Sequence, residues 1–286
     1  MKNISIIGWD LRIAKLAEMM YADGYDIFTY GLEKAKLNDN ITKCNSLEEV
    51  TSKSDIIVSS IPLTGNEVYI NTPFGNNKIN IDELIPYLKG KTFIAGRIEN
   101  EILEKLKDVN VIDILNREEL TVLNTISTAE GAIQIAMEES TKTIHGSKIL
   151  VMGFGRVSKI LSNMLKGIGA DVYCETTKTV NCSWIKAYGY KPILLDELDT
   201  ALGKFDIIIN TIPHIILDKK KLGLINKDCI IIDIASNPGG VDRTAAKELG
   251  IKLIWALSLP GKVAPITSAE FIKETLENVL KDMKNK

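Results

Sequence analysis

Histidine is nearly absent from this chain of 286 residues: His145 and His214 are the only two. That leaves no set of imidazoles for a metal centre and narrows the choice of acid–base residues. Cysteine is scarce as well. Cys44, Cys174, Cys182 and Cys229 form no CxxC pair, and Cys174 and Cys229 sit in apolar stretches. They read as reduced core or surface thiols, which points to the cytoplasm. No apolar run reaches the roughly 20 residues of a membrane span. Met1 leads straight into the apolar Ile4–Ile7, without a basic–apolar–small-residue signal. Acidic and basic residues balance to a net charge of -2 without long blocks, which argues against a nucleic-acid partner. Arginine is the rarer cation, confined to Arg12, Arg97, Arg117, Arg156 and Arg243.

The stretch Lys148–Thr177, KILVMGFGRVSKILSNMLKGIGADVYCETT, carries the strongest pattern present. Ile149–Met152 is an apolar run of strand length. Ile160, Leu161, Met164, Leu165 and Ile168 recur at helical spacing, and Val172–Cys174 reads as a second strand. The unit is strand, glycine turn, helix, strand. Gly153 permits the sharp turn, Gly155 lets backbone approach a pyrophosphate, and Ser158 need only be small for helix to pack on strand. The helix start offers unpaired N–H groups to the phosphates. A dinucleotide site is therefore expected at Gly153, Phe154, Gly155, Arg156 and Val157.

The pattern occurs twice, in the same order. Ile4–Gly8, a helical run Leu11–Tyr21 and the strand Asp26–Tyr30 repeat the outline; Ser54–Pro62 reappears as Phe205–Pro213, and Lys91–Gly96 as Asp228–Asp233. The fold class is α/β, with two tandem Rossmann-like parallel-sheet domains and an interdomain cleft. The expected division is a substrate domain over 1–124, a connecting helix in 125–145, a dinucleotide-binding domain over 146–268, and a terminal helix in 269–286 packing near the hinge. In the first copy Gly8-Trp9-Asp10 replaces GxG, and Trp9 is expected to crowd a pyrophosphate.

Several strand ends carry candidate chemistry. The position expected to hold the adenine ribose falls on Thr176, followed by Thr177 and Lys178. Hydroxyls and a cation there favour NADP; Glu175, one place early, is the residue that would select NAD. Thr211, Ile212 and Pro213 end a parallel strand expected near the nicotinamide ribose. His214 beside them is either a proton relay or a structural histidine; His145 reads as structural. Asp233, leading into Ser236-Asn237-Pro238-Gly239-Gly240, either lies at the ligand or caps neighbouring amides. Ser127 and Glu130 fit a capping box at the start of the connecting helix, with Thr128 beside them to receive a carboxylate; Glu130 is either cap or proton acceptor. Retained guanidinium suggests bidentate recognition of carboxylate or phosphate, so Arg12 and Arg97, with Arg117 a further candidate, are assigned to an anionic substrate. Lys262 supplies another cation. The candidate catalytic groups are thus His214, Glu130 and Lys262, with no metal.

GFGRVS after TIHGSKILVMG, the NTIPHIIL and DIASNPGG loops, STAEG and LPGKVAP together resemble the family of A-type dipicolinate synthase subunits over nearly the whole chain. More distantly, the second half is similar to the NAD-binding domains of alanine dehydrogenase, adenosylhomocysteinase and 2-hydroxyacid dehydrogenases. The resemblance implies a sporulation enzyme that oxidises dihydrodipicolinate to pyridine-2,6-dicarboxylate with a nicotinamide cofactor. It implies a second, flavoprotein-like B-type dipicolinate synthase subunit and the mother-cell cytoplasm; a homo-oligomer is expected. Family glycines map to Gly153 and Gly155, while Thr177 stands where the family carries arginine. A dicarboxylate suits the arginine argument independently, since two carboxylates call for two cationic holders. A 2-hydroxyacid or amino-acid dehydrogenase, or a non-catalytic NADP-binding regulatory subunit, would use the same scaffold.

Overall fold

The structure, a computed structural model, describes residues 2–8, 10–65 and 68–285. The chain forms two compact units, Met1–Leu123 with Ala264–Lys286, and Asn124–Val263. The first contains strands β1 (Asn3–Ile7), β2 (Asp26–Tyr30), β3 (Thr42–Lys43), β4 (Ile56–Val58), β5 (Thr92–Ala95) and β6 (Asn110–Asp113). They pair in parallel in the order β3-β2-β1-β4-β5-β6. The second contains β7 (Lys148–Met152), β8 (Asp171–Thr176), β9 (Lys191–Leu194), β10 (Ile207–Asn210), β11 (Ile230–Asp233) and β12 (Lys252–Trp255). Its order, β9-β8-β7-β10-β11-β12, is the same and also wholly parallel.

Five longer helices complete the description: α1 (Leu11–Ala22), α2 (Glu118–Glu139), α3 (Arg156–Ile168), α4 (Thr179–Ala187) and α5 (Pro265–Lys284). Every residue of β10 and β11 is buried, which is why these strands read as unbroken apolar runs rather than alternating ones. Strand order reverses between β8-β7 and β7-β10. The carboxyl ends of β7 and β10 therefore border the crevice where open sheets of this kind take ligands.

The helices differ from expectation at their starts. α2 begins at Glu118, not Thr125, because Leu120 already buries itself in the core of the first unit. Its later residues Ala129, Ala132, Ile133 and Ala136 belong to the core of the second. α5 starts at Pro265, a residue suited to a first helical turn. It packs Ile272, Leu276, Val279 and Leu280 into the core that holds Ile13, Leu16 and Met20 of α1. Among the described residues no helix is long and apolar enough to cross a membrane.

Candidate functional site

Beyond Met152 the chain turns through Gly153-Phe154-Gly155 into α3. Gly153 has φ +88°, a conformation that side chains with a β-carbon rarely adopt; a Cβ there would meet Thr211 Oγ1 at 2.9 Å. Thr211 is fixed in that place, since its hydroxyl donates to Met152 O at 2.8 Å. That uses its single proton, so Ser158 donates the 2.9 Å bond between Ser158 Oγ and Thr211 Oγ1. Ser158 is thus more than small: it ties the first turn of α3 to the loop after β10.

Gly155 is the N-cap of α3, with no side-chain cap and open space where a β-carbon would stand. The first-turn amides face that space under the positive end of the helix dipole. A diphosphate fits such a cradle, bringing acceptors and negative charge to the positive end of the helix. Arg156 and Val157 form the first turn, exposed and half-buried respectively. Phe154 packs against the core of the unit, its ring 6.3 Å from that of Tyr188.

At the end of β8, Thr176 is buried, and its Oγ1 accepts from Asn181 Nδ2 at 2.9 Å and from the Lys178 amide at 3.2 Å. Thr177 and Lys178 are exposed. Glu175, in contrast, is only 1% exposed. Its Oε2 accepts the Gly153 N–H at 3.0 Å, and Oε1 has no partner among the described residues. Burial pushes its carboxyl above the usual carboxylate range, partly offset by the Gly153 amide.

The loops after β10 and β11 are locked by Asp233 together with Asn210, which sequence reading passed over. Asn210 is fully buried; its Nδ2 donates to Asp233 Oδ1 at 2.8 Å and to Ile212 O at 3.0 Å, while its Oδ1 accepts from the Ile212 amide. Asp233 Oδ1 also accepts from the Ala235 amide at 3.1 Å, and Oδ2 from Gly240 N at 2.8 Å. Asp233 therefore caps neighbouring amides. The glycines of that loop answer to the same pair: a Cβ at Gly239 would stand 2.7 Å from Asp233 Oδ2, and one at Gly240 2.7 Å from Asn210 Cγ. Pro213 and His214 are exposed at the tip of the β10 loop.

The capping box is overturned. Ser127, Thr128 and Glu130 lie in the interior of α2, so no free helix start exists there. Thr128 Oγ1 donates to Asn124 O at 2.8 Å, the back-bond of a mid-helix threonine. Glu130 stands exposed on the helix, and Lys262 is exposed in the short helix Leu259–Val263.

In the first unit the equivalent helix start is capped by a carboxylate. Gly8 has φ +66°, and a β-carbon there would collide with the Thr72 side chain. Asp10 caps α1, accepting from the Arg12 amide at 2.9 Å, and grips the Arg12 guanidinium through Nε at 3.1 Å and Nη2 at 2.9 Å. A carboxylate therefore stands where a phosphate would sit. Trp9, expected to crowd this turn, lies outside the described residues. Arg12 Nη2 is 3.4 Å from Ile61 O, and Gly96, next to Arg97, packs on the Ile61 side chain. Arg12 thus reaches the turn after β4, on which Gly96, the neighbour of Arg97, packs. Arg97 holds φ +52°, kept by Asp113, which accepts from the Arg97 and Ile98 amides at 3.0 and 2.9 Å. Its side chain is 59% exposed, 3.6 Å from Glu99. Arg117 is committed to Glu119 and Asp282, an ion-pair role within the fold.

Comparison with known proteins agrees with this geometry. Residues 3–115 match the family model of the N-terminal domain of the A-type dipicolinate synthase subunit. Residues 122–245 match the NAD binding domain of D-isomer specific 2-hydroxyacid dehydrogenases. The A-type dipicolinate synthase subunit of Bacillus subtilis (strain 168) is 30% identical over 292 residues, covering 98% of this chain and 96% of the relative. The crystal structure of its counterpart from Bacillus halodurans superposes with a TM-score of 0.90 at 26% identity, covering 98% and 97% of the two chains. An L-alanine dehydrogenase shares the fold alone, with a TM-score of 0.70 at 15% identity over 99% and 90%. The second unit is a nicotinamide-dinucleotide-binding domain and the role is that of an oxidoreductase. The chain belongs to the family of A-type dipicolinate synthase subunits.

Proposed function

We propose that this chain oxidises dihydrodipicolinate to dipicolinate with NADP as hydride acceptor, working with a second, flavoprotein-like subunit during sporulation. The open cradle at Gly155, in a chain aligned end to end with its dipicolinate synthase relatives, carries the reading. When bound, the oxidised nicotinamide supplies the hydride acceptor. Gly153, Gly155 and the amides of Arg156 and Val157 hold the pyrophosphate, and Thr211, Ile212 and Pro213 border the nicotinamide half. Thr177 and Lys178 receive the 2′-phosphate. Support for NADP comes from Glu175, whose carboxyl is buried and turned to the Gly153 amide rather than standing free for a ribose hydroxyl.

Arg12, gripped by Asp10, and the exposed Arg97 hold the two substrate carboxylates around the turn after β4, with Lys262 a further cation. Aromatisation of the ring supplies much of the driving force. The protein then has to orient the C–H donor and accept one proton, for which His214 and Glu130 are the groups proposed.

The reading is tested by product formation from dihydrodipicolinate, first with the purified chain alone and then with the second subunit. Dipicolinate accompanied by reduced NADP supports it; no product under either condition rejects it. Two variants separate the binding roles. Lys178→Ala removes a charge-assisted contact of about 1.5–3 kcal/mol, so NADP should bind at least about tenfold more weakly while NAD binding is unchanged by calorimetry. Arg97→Ala should raise the KM for substrate about tenfold on the same scale and leave dinucleotide affinity intact. A normal KM removes Arg97 from the site.

A further inference from the structure

Glu175 is a carboxyl buried at the glycine turn. It accepts the Gly153 amide through Oε2, while the buried Oε1 has no hydrogen-bond partner among the described residues. Gly153 opens the turn whose far side, at Gly155, is empty. A buried acid with an unpartnered oxygen thus sits at Gly153, and two residues on, at Gly155, is the open space proposed to take a doubly charged pyrophosphate.

We propose that Glu175 makes dinucleotide binding proton-coupled: the bound form carries Glu175 as the neutral acid, still accepting from Gly153, and the ionised acid opposes the pyrophosphate. The inference rests on the dinucleotide reading above. A third negative charge close to two others is costly where the dielectric is low. The cheapest relief is a proton on Oε1, the oxygen that accepts nothing. Charged groups on the surrounding elements are Asp171, Lys148 and Lys191 at the opposite ends of β8, β7 and β9, Lys178, Asp196 and Glu197 in the turns at the same end, and Arg156 opening α3. The influences on Glu175 are burial first, which raises its pKa, and the Gly153 N–H second, which lowers it. Glu175 is a positioning residue, acting on the cofactor through the turn.

Calorimetry of the full chain with NAD and with NADP, in buffers of different ionisation enthalpy, tests this. The pH series should extend several units above the ordinary glutamate value of about 4.3. Expected are uptake approaching one proton per chain and an affinity falling up to about tenfold per pH unit above the raised pKa. Glu175→Gln should abolish the uptake and flatten the profile, leaving binding at the alkaline end at least about tenfold tighter than in the unsubstituted chain. The 2′-phosphate of NADP titrates near about 6, so NAD is the reference ligand; uptake with NADP alone assigns the proton to the phosphate and overturns the proposal. Thermal melts supply a second readout. A raised folded-state pKa contributes stability below the unfolded value and loses it as pH rises through the folded one. The melting temperature of Glu175→Gln should therefore gain on that of the unsubstituted chain as pH rises. Binding with no uptake, or with uptake that survives Glu175→Gln, overturns the coupling alone. Binding of neither dinucleotide overturns the cofactor reading and the coupling together.

Discussion

Replacing Gly155 with valine is expected to abolish dinucleotide binding while the protein stays folded. The backbone at Gly155 is extended, φ −92°, which any residue adopts, and nothing lies within 4 Å of its added β-carbon. The stability change is limited to a poorer N-cap, worth about 1 kcal/mol. The ligand loses far more. Charge-assisted bonds to a pyrophosphate contribute about 1.5–3 kcal/mol each, and displacing two of them weakens binding by about a hundredfold or more. Gly153→Val should behave oppositely. Its positive φ and the 2.9 Å approach to Thr211 Oγ1 place the damage in the fold, before any ligand arrives. Calorimetry beside thermal unfolding separates the two. Unchanged affinity in Gly155→Val would remove the turn from the site.

Asp233→Ala should be the most destabilising single change in the second unit outside its apolar core. Asn210 Nδ2 and the amides of Ala235 and Gly240 all donate to this carboxylate, which is 2% exposed. Truncation strands these buried donors at about 1–3 kcal/mol each. Even with partial relaxation, a loss of about 3–5 kcal/mol is expected, against a total stability of about 5–15 kcal/mol. The loops after β10 and β11 loosen together, so dinucleotide affinity should fall as well. Because Asn210 and Asp233 share a bond, the double variant Asn210→Ala with Asp233→Ala should cost less than the two single losses added. Denaturant unfolding measures all three. A loss below about 1 kcal/mol for Asp233→Ala would show that these hydrogen bonds carry little net stability.

The two sheets were legible wherever strands are buried on both faces. Ile207–Asn210 and Ile230–Asp233 stand out as apolar runs because helices cover them, and the glycine turn at 153–155 marks where the sheet delivers its crevice. Peripheral strands left no such mark. Thr42–Lys43 is two residues long and exposed, and Asn110–Asp113 is never fully buried, so neither shows the apolar run or alternation that betrays a strand. Ser127 and Glu130 satisfied a local capping pattern that packing overrode, since Leu120 and the turns before it already find a core. Asn210 ends an isoleucine run and carries the Asp233 network. A polar residue closing a fully apolar strand was the available signal, but only the register of Asn210 against Asp233 shows what it meets. Asp10 was visible too, yet its grip on Arg12 depends on how α1 starts, which composition does not report.

The central claim is that the second unit alone takes the dinucleotide, and amide resonances report on it most directly. Titrating NADP into the isotopically labelled full chain should shift the amides of Gly153, Gly155, Arg156 and Thr211 as binding saturates. Gly8 and Gly31, at the equivalent turn of the first unit, should stay in place. Shifts at Gly8 and Gly31 with Gly153 and Gly155 unmoved would contradict the account.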